Sequence, residues 1–470
     1  MLIEHSLPDS LSSTLPEMGV RGEHLGVGLS GGVDSVALLS ALHLVASSLG
    51  FSLSALHVHH GLSPHADAWA ALCERICASL SVPLITERVC VARDDPRGLE
   101  AAARQARYQA YARGMKSIAA DSLVLAHHRG DQAETVMHRL IRGAGVRGCA
   151  AMRSQTVLRF DDGHTIRLLR PLLEIGKDEL ERHARDHGLD WVTDETNANP
   201  AFARNFLRAE ILPRLNHRFP GADQTISRAA GLFAEAQDLL VSLAQIDLSS
   251  AREGEGLTMD ALQDLGPARV RNLLRCLLEY FGVLPPPFEQ LDEALRQLLS
   301  ARPDRSPQVC WGGLCWVRFD SRLYCVRQAE PGIQPDAIWQ GEPTLPWSGG
   351  MIEFTPCTGA GIEQRWLLEG GLQVRSRRGQ ERIMVALNRP SRSLKQLFQA
   401  RRAPPWAREA MPLFWCGEAL LAVGDIALDP RFACPPGAAG LKISWRPWDR
   451  VVPLSGVSLG EGALGFDGLA

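Results

Sequence analysis

Short apolar runs alternate with longer amphipathic stretches over the first 200 residues. Runs 25–29, 53–58, 83–91 and 122–126 have strand length, and 66–80, 99–119 and 131–142 repeat their apolar residues at helical spacing. Strand followed by helix, several times over, predicts βαβ units: a doubly wound, mainly parallel α/β sheet with helices on both faces. The pattern then changes. From about 221 to 335 it is mainly helical, broken by the Pro-rich stretch 284–287, and from 351 to 449 short strands mix with a strongly basic helix. A Gly-rich tail follows residue 451. The expected organisation is an α/β domain over 1–220, a helical domain over 221–345, a small mixed α+β domain over 346–450 and a flexible tail over 451–470.

In an open parallel sheet the ligand crevice lies beyond the carboxyl ends of the strands. Three polar clusters fall there: SGGVDS at 30–35, HVHHGL at 57–62 and AHHRGDQAET at 126–135. In the first, Gly31 and Gly32 permit a tight turn, and the unpaired N–H groups of the following helix, starting at Val33, point at whatever anion arrives. Ser30 and Ser35 add hydroxyls. Asp34 would repel a phosphate unless a divalent cation sat between them, so the turn reads as a cradle for a metal-bound polyphosphate. It lacks the Gly-Lys-Ser/Thr ending that lets a lysine reach a terminal phosphate, which suits holding pyrophosphate as it leaves. Asp131 and Glu134 share one face of a helix start, where they could favour its dipole or join Asp34 around a metal or nucleotide. The histidines at 57, 59 and 60 are open to two readings, substrate contacts or satisfied polar groups at a strand end.

Composition narrows the function. The 470-residue chain is 45% hydrophobic and 22% charged, enough to bury real cores. A net charge of −3 offers no global attraction for nucleic acid, so any such role rests on local patches. Residues 375–409 hold ten Arg or Lys and two acidic residues, with Trp406 after two prolines, and 139–153 hold four arginines and no acid. Eleven cysteines without C-x-x-C suit a reducing cytoplasm better than a disulfide scaffold. No run is long enough to span a bilayer.

Several stretches carry a resemblance. SGGVDS, HVHHGLS, LEAAARQARY (99–108), HRGDQAETVMHRLIRGAG, RPLLEIGKDEL and DETNANPAFARNFLRAEILPRL resemble the tRNA(Ile)-lysidine synthetase (TilS) family of N-type ATP pyrophosphatases over about residues 26–215. SLKQLFQARRAPPWARE and MPLFWCGEALLAVGDI resemble its C-terminal domain. One departure is Gly130, where the family commonly has an acidic residue, which leaves any shared metal role to Asp131. The resemblance implies a ligase forming a carbon–nitrogen bond. ATP adenylates the C2 carbonyl oxygen of the wobble cytidine in the CAU-anticodon isoleucine tRNA, and L-lysine displaces AMP. It assigns Ser30, Gly31, Gly32, Val33, Asp34 and Ser35 to ATP, and Asp34 and Asp131 to Mg²⁺. Arg104, Arg107, Arg204 and Arg208 go to nucleotide or tRNA, with His59 and Glu134 as candidates near the lysine amine. It implies a cytoplasmic protein and allows a homodimer. A tRNA thiolase shares the loop but would bring paired cysteines; an ammonia-using synthetase would often bring a glutaminase domain; a non-catalytic tRNA binder would not need Asp34 intact.

Overall fold

The computed structural model describes residues 6–92, 94–96, 98–160, 162–193, 203–302, 305–328 and 336–459. Two compact units divide the described chain between Ser242 and Leu243.

The first unit is the expected α/β sheet. After α1 (Leu7–Glu17), the chain alternates β1 (His24–Gly28), α2 (Val33–Leu49), β2 (Ser52–His59), α3 (Ala66–Ser79), β3 (Leu84–Arg88), α4 (Leu99–Ser117), β4 (Ser122–Val124) and α5 (Arg129–Ile141). A short α6 (Val146–Cys149) leads into the hairpin β5 (Gln155–Arg159) and β6 (Thr165–Leu169), and α7 (Lys177–Asp186) follows. The sheet order is β3-β2-β1-β4-β6-β5, parallel throughout except for β5. Apolar residues of α1, α2, α3 and α7 form one core on one face. Tyr108, Tyr111 and Met115 of α4 form another, packed on Leu56, Leu123 and Leu168. The sheet is therefore sandwiched, as right-handed βαβ crossovers require.

Helix α2 is apolar almost all round, which only a helix covered on several sides can be. It lies under α1 and α7, and its buried run from Ser35 to Leu42 includes Leu38 and Leu39 at 0% exposure. That burial fixes the start of α2, and with it the loop that precedes it.

Past α7 the described chain resumes with α8 (Ala203–Phe206), a π-helical turn (Leu207–Ile211) and α9 (Leu212–Arg218); residues 194–202 of the DETNANPAFA stretch lie outside the described residues. The 30-residue α10 (Ala222–Ala251) runs on into the second unit.

The second unit, 243–459, is less helical than its pattern suggests. Beside α11 (Met259–Tyr280) and α12 (Phe288–Ser300) stands an antiparallel sheet of β7 (Arg252–Glu253), β8 (Gly256–Thr258), β9 (Gln308–Trp311), β10 (Leu314–Phe319) and β11 (Arg322–Arg327). Cys310 and Cys315 sit opposite each other in the β9–β10 register and are joined by a disulfide, a local stitch across one hairpin rather than a framework. Next come β12 (Ala337–Trp339), β13 (Thr344–Trp347), β14 (Gly350–Thr358), β15 (Ile362–Glu363), α13 (Gln364–Gly370) and β16 (Leu372–Arg375). The small pair β17 (Arg382–Ile383) and β18 (Arg392–Ser393) precedes α14 (Leu394–Ala400) and α15 (Pro405–Ala410). Strands β19 (Leu413–Cys416), β20 (Ala419–Val423), β21 (Ala427–Leu428) and β22 (Ala439–Pro447) complete two sheets around one core. The strongly basic helix does not form. The ten cations of 375–409 are spread over strand ends, loops and two short helices, because the apolar residues between them, Leu394, Leu397 and Phe398, are needed in the core. Within 451–459, Val452, Leu454, Val457 and Leu459 are buried.

Leu39→Ala should cost about 2–5 kcal/mol through reduced burial and a residual cavity. Leu44→Ala on the same helix, at a site 50% exposed, should stay within about 0.5 kcal/mol of wild type. Urea midpoints of the two variants check this.

Candidate active site

The loop after β1 is shaped by its own serines. Ser35 Oγ donates to the Gly32 carbonyl at 2.9 Å and accepts the Ser30 N–H at 3.2 Å, while the two serine hydroxyls lie 3.1 Å apart. Ser30 Oγ also accepts the Gly32 N–H at 3.3 Å. Ser35 is buried, so it fixes the loop, whereas Ser30 faces outward. Gly31 has φ +88°, a left-handed conformation open to glycine, and an added Cβ would press on Val192 at 3.3 Å and Cys73 at 3.4 Å. Gly32 caps α2 with no side chain of its own, leaving the first N–H groups of that helix for a ligand.

Asp34, in the first turn of α2, has one oxygen, Oδ1, that is buried and without a hydrogen-bond partner. Burial raises its pKa, Asp131 adds to the rise, and His128, Lys177 and Arg208 offset part of it. His128 joins the two carboxylates: its Nε2 is 3.8 Å from Asp34 Oδ2 and 3.6 Å from Asp131 Oδ2. Its Nδ1 accepts the Gly130 N–H at 2.9 Å, which assigns the ring proton to Nε2, the atom facing both acids. This fold-back explains Gly130. A Cβ there would stand 2.8 Å from His128 Cε1, so an acidic side chain at 130 and this ring position exclude each other.

Asp131 is already engaged. Its Oδ2 accepts the His128 N–H at 3.0 Å, closing a capping box at the start of α5, and its Oδ1 accepts from Arg208 Nη2 at 3.1 Å. Burial would raise its pKa, but His128, His127 and Arg208 outweigh burial and hold it below the usual carboxylate value. Arg208 also grips the buried Glu134, Nε to Oε2 at 2.9 Å, and Arg204 Nε stands 3.8 Å from Glu134 Oε1. Burial raises the Glu134 pKa despite these cations. Arg208 comes from the π-helical turn, 74 residues along the chain from Glu134.

Arg104 and Arg107 of α4 lie over the Tyr108 ring at 5.6 and 6.0 Å. Burial and the neighbouring Arg107, Arg204 and Arg170 pull Arg104 below its ordinary pKa, with Tyr108 opposing them. Arg170 is 1% exposed; it donates to His127 Nδ1 at 3.3 Å and to the Arg153 carbonyl at 2.8 Å, and its Nη2 is buried without a partner. Tyr108 Oη and His60 Nδ1 are orphaned in the same way. Unpaired buried polar atoms are uncommon, and four of them around a cationic patch beside a glycine loop fit a polar, anionic ligand. His59, by contrast, is committed to Asp67 at 3.1 Å and neighbours Arg88 at 3.4 Å, whereas His57 donates to the Leu29 carbonyl just ahead of the loop.

A PP-loop domain family matches residues 6–215, a TilS substrate-binding domain matches 257–324 and a TilS substrate C-terminal domain matches 372–445. The tRNA(Ile)-lysidine synthase of Nitrosomonas europaea is 40% identical over 430 residues, 91% of this chain and 92% of its own. The chain belongs to the tRNA(Ile)-lysidine synthase family. The member from Aromatoleum aromaticum is 39% identical over 426 residues, covering 90% of this chain and 97% of its own. Among solved structures, a U34-tRNA thiolase from Methanococcus maripaludis with its [4Fe-4S] cluster shares 18% identity at a TM-score of 0.40 and covers 48% of this chain and 78% of its own. Family membership makes the chain an ATP-using enzyme of tRNA processing.

Against the family's motifs, the residues missed in the sequence are His128, Lys177 and Arg170. The His127–His128 doublet was the available signal for the first; Lys177 opens α7, and its field on Asp34 supplies near the loop the cation that the loop lacks. Among the described residues, no helix is long and apolar enough to cross a membrane.

Burial pushes His60 and His183 down to about 4 and His127 down to about 3, from an unfolded value of 6.5. Between pH 6.5 and about 4 the unfolded chain therefore binds more protons than the folded one, so stability falls as pH is lowered through that window. Urea midpoints at pH 7.5 and 5 should show the drop. His183→Gln, at a ring that meets Ser40 Oγ at 3.2 Å, should flatten it.

Proposed function

We propose that the enzyme joins L-lysine to C2 of the wobble cytidine of the AUA-decoding, CAU-anticodon isoleucine tRNA, through an adenylated tRNA, releasing AMP and pyrophosphate. The observation that carries this reading is the glycine turn whose only carboxylate, Asp34 in the first turn of α2, has a buried oxygen without a hydrogen-bond partner. A carbonyl oxygen leaves poorly, and adenylation makes C2 electrophilic at the expense of an α–β phosphate bond. The departing pyrophosphate then needs N–H donors and positive charge, which the start of α2, Lys177 and the arginines around Tyr108 offer.

Among the described residues no three His, Cys, Asp or Glu side chains are grouped to hold a metal ion. Mg²⁺ does not require three, since it is commonly held by one or two carboxylates and the substrate's phosphates. The orphaned Asp34 oxygen fits such an ion, and Asp131 would join only by releasing Arg208. When bound, Mg²⁺ would neutralise charge on the phosphates. Arg104, Arg107, Arg204 and Arg208 are assigned to nucleotide and tRNA contacts. Lysine arrives as an ammonium and must lose a proton before attack. Glu134 is the better acceptor, because burial raises its pKa and its Arg208 contact can be exchanged, while His59 is spent on Asp67. A cytoplasmic homodimer is consistent with this reading and is part of the proposal.

Persulfide chemistry of the thiolase kind is disfavoured by the thiols themselves. Cys73, beside the loop, is pushed up to about 12 and Cys77 to about 11 by burial, so neither is a ready thiolate.

Incubation with ATP, labelled lysine and total tRNA should label one isoleucine tRNA and yield AMP and pyrophosphate in equal amounts; tRNA-dependent ADP would contradict the reading. Asp34→Ala should reduce pyrophosphate release at least 100-fold, by roughly the 10²–10³ typical of losing one charge-stabilising group, and leave tRNA affinity within about twofold. Filter binding measures the second part.

Reversing Arg377, Arg378 and Arg382 to Glu tests the exposed basic segment. Arg378 pairs with Asp336 at 3.0 Å, Arg377 lies 5.6 Å over Phe398 and Arg382 Nε donates to Ser391 Oγ at 3.1 Å, and all three are exposed. The triple variant should bind tRNA more weakly, with the slope of log affinity against log salt flattened by roughly 0.7–0.9 for each phosphate that is no longer neutralised. ATP binding should not change.

A further inference from the structure

The end of β22 carries a cavity of about 280 Å³ that no step of the reaction uses. Three indoles line it: Trp406 from α15, Trp445 from β22 and Trp448 just beyond. Pro404 and Pro447 stiffen its walls and Arg450 adds a guanidinium. The three indoles are in different states. Trp406 is backed by Tyr324 at 5.2 Å and Phe319 at 6.0 Å between ring centres, which holds its plane. Trp445 is 5% exposed, yet its Nε1–H is buried without an acceptor. Trp448 is 62% exposed, and its backbone is pinned by an N–H donated to the Gly349 carbonyl at 2.7 Å.

An exposed indole on a fixed backbone, lining a cavity with two further indoles, is a poor way to finish a core and a good way to receive a flat ring. The volume is below that usual for drug-sized ligands, which suits one ring system rather than a whole nucleotide. Charge says which ring. Arg450 donates to the carbonyls of Arg327 and Trp406, contacts that use its N–H groups without cancelling its charge. The cavity's carboxylate, Asp449, accepts the Val451 N–H at 3.0 Å. Pro404 and Trp406 lie inside the 375–409 segment with its ten cations and two acids. An aromatic slot with a guanidinium in its lining, joined to a segment rich in cations, is an arrangement that takes single-stranded nucleic acid, the base on the ring and the phosphates on the charges.

We propose that this cavity binds one unpaired base of the RNA substrate, stacked on Trp448, with the Arg450 guanidinium supplying positive charge beside it. The proposal rests on the tRNA reading above and adds to it a site for a base other than the wobble cytidine. A paired base cannot enter, because both its faces are already stacked in the duplex. The site therefore reads single-strandedness at a second place on the tRNA.

The test compares wild type, Trp448→Ala and Trp448→Phe, using tRNA, a single-stranded hexaribonucleotide and a blunt RNA duplex of the same composition. Trp448→Ala should weaken tRNA and hexamer binding between about 5- and 150-fold, the range for losing one base–aromatic stack. Trp448→Phe should restore most of it, duplex binding should be weak and equal in all three proteins, and ATP binding should not change. Unchanged hexamer and tRNA affinity in Trp448→Ala would overturn the proposal. So would equal losses for duplex and hexamer, which would show that the cavity does not distinguish unpaired from paired bases. Lysine incorporation by the wild type is scored separately: hexamer binding that depends on Trp448 in a protein that labels no tRNA would preserve the cavity assignment and refute the reaction.

Discussion

The site depends on packing three carboxylates beside one another at the edge of a sheet. Asp34, Asp131 and Glu134 come from the starts of two helices, and burial works against ionising each of them. Like charges this close are tolerable only where cations and donors are interleaved. His128 Nε2–H stands between Asp34 and Asp131, and Arg208 stands between Asp131 and Glu134. The row acid, imidazole, acid, guanidinium, acid is compensated internally, except at Asp34. There the last oxygen is left over, at the end of the row that faces the glycine turn.

This arrangement divides labour among residues that the motif makes look alike. Within SGGVDS, Ser35 ties the loop and Ser30 faces out; Gly31 supplies a backbone angle and Gly32 leaves the helix start uncapped. Asp131, which the pattern makes a twin of Asp34, spends both oxygens on structure, one on its own helix and one on Arg208. Two residues of the same type in the same crevice thus face opposite demands, one closing the site and one leaving it open.

The α/β half was legible because its elements are nearly independent of one another. Apolar runs predicted at 25–29 and 53–58 appear as His24–Gly28 and Ser52–His59, and the helix predicted at 66–80 appears as Ala66–Ser79. Amphipathic period and turn chemistry decide such pieces locally. The antiparallel β5–β6 edge and the sheets of the second unit were not legible. Their strands are two to nine residues long and draw their stability from partners far along the chain, as β14 does from β22. His128 was invisible for a related reason: its role depends on a glycine two residues on giving its ring room, a property of three-dimensional space and not of spacing. His59 shows the converse. Its position at a strand end suggested a ligand contact, and a nearby aspartate on α3 takes it instead.

The π-helical turn from Leu207 to Ile211 has a consequence for how this site can change over time. A wide turn holds one residue more than an α-turn, so everything beyond it is rotated by about 100° relative to the regular helix. Arg208 lies in that turn and neutralises two acids at once. Exchanging its side chain alters one contact. Removing a neighbouring residue would let the turn relax to α geometry and carry the guanidinium to another face, leaving Glu134 buried with its main counter-charge gone. Around 203–211 the chain is therefore far less tolerant of changes in length than of changes in letter, and sequence drift there is confined to replacements in place.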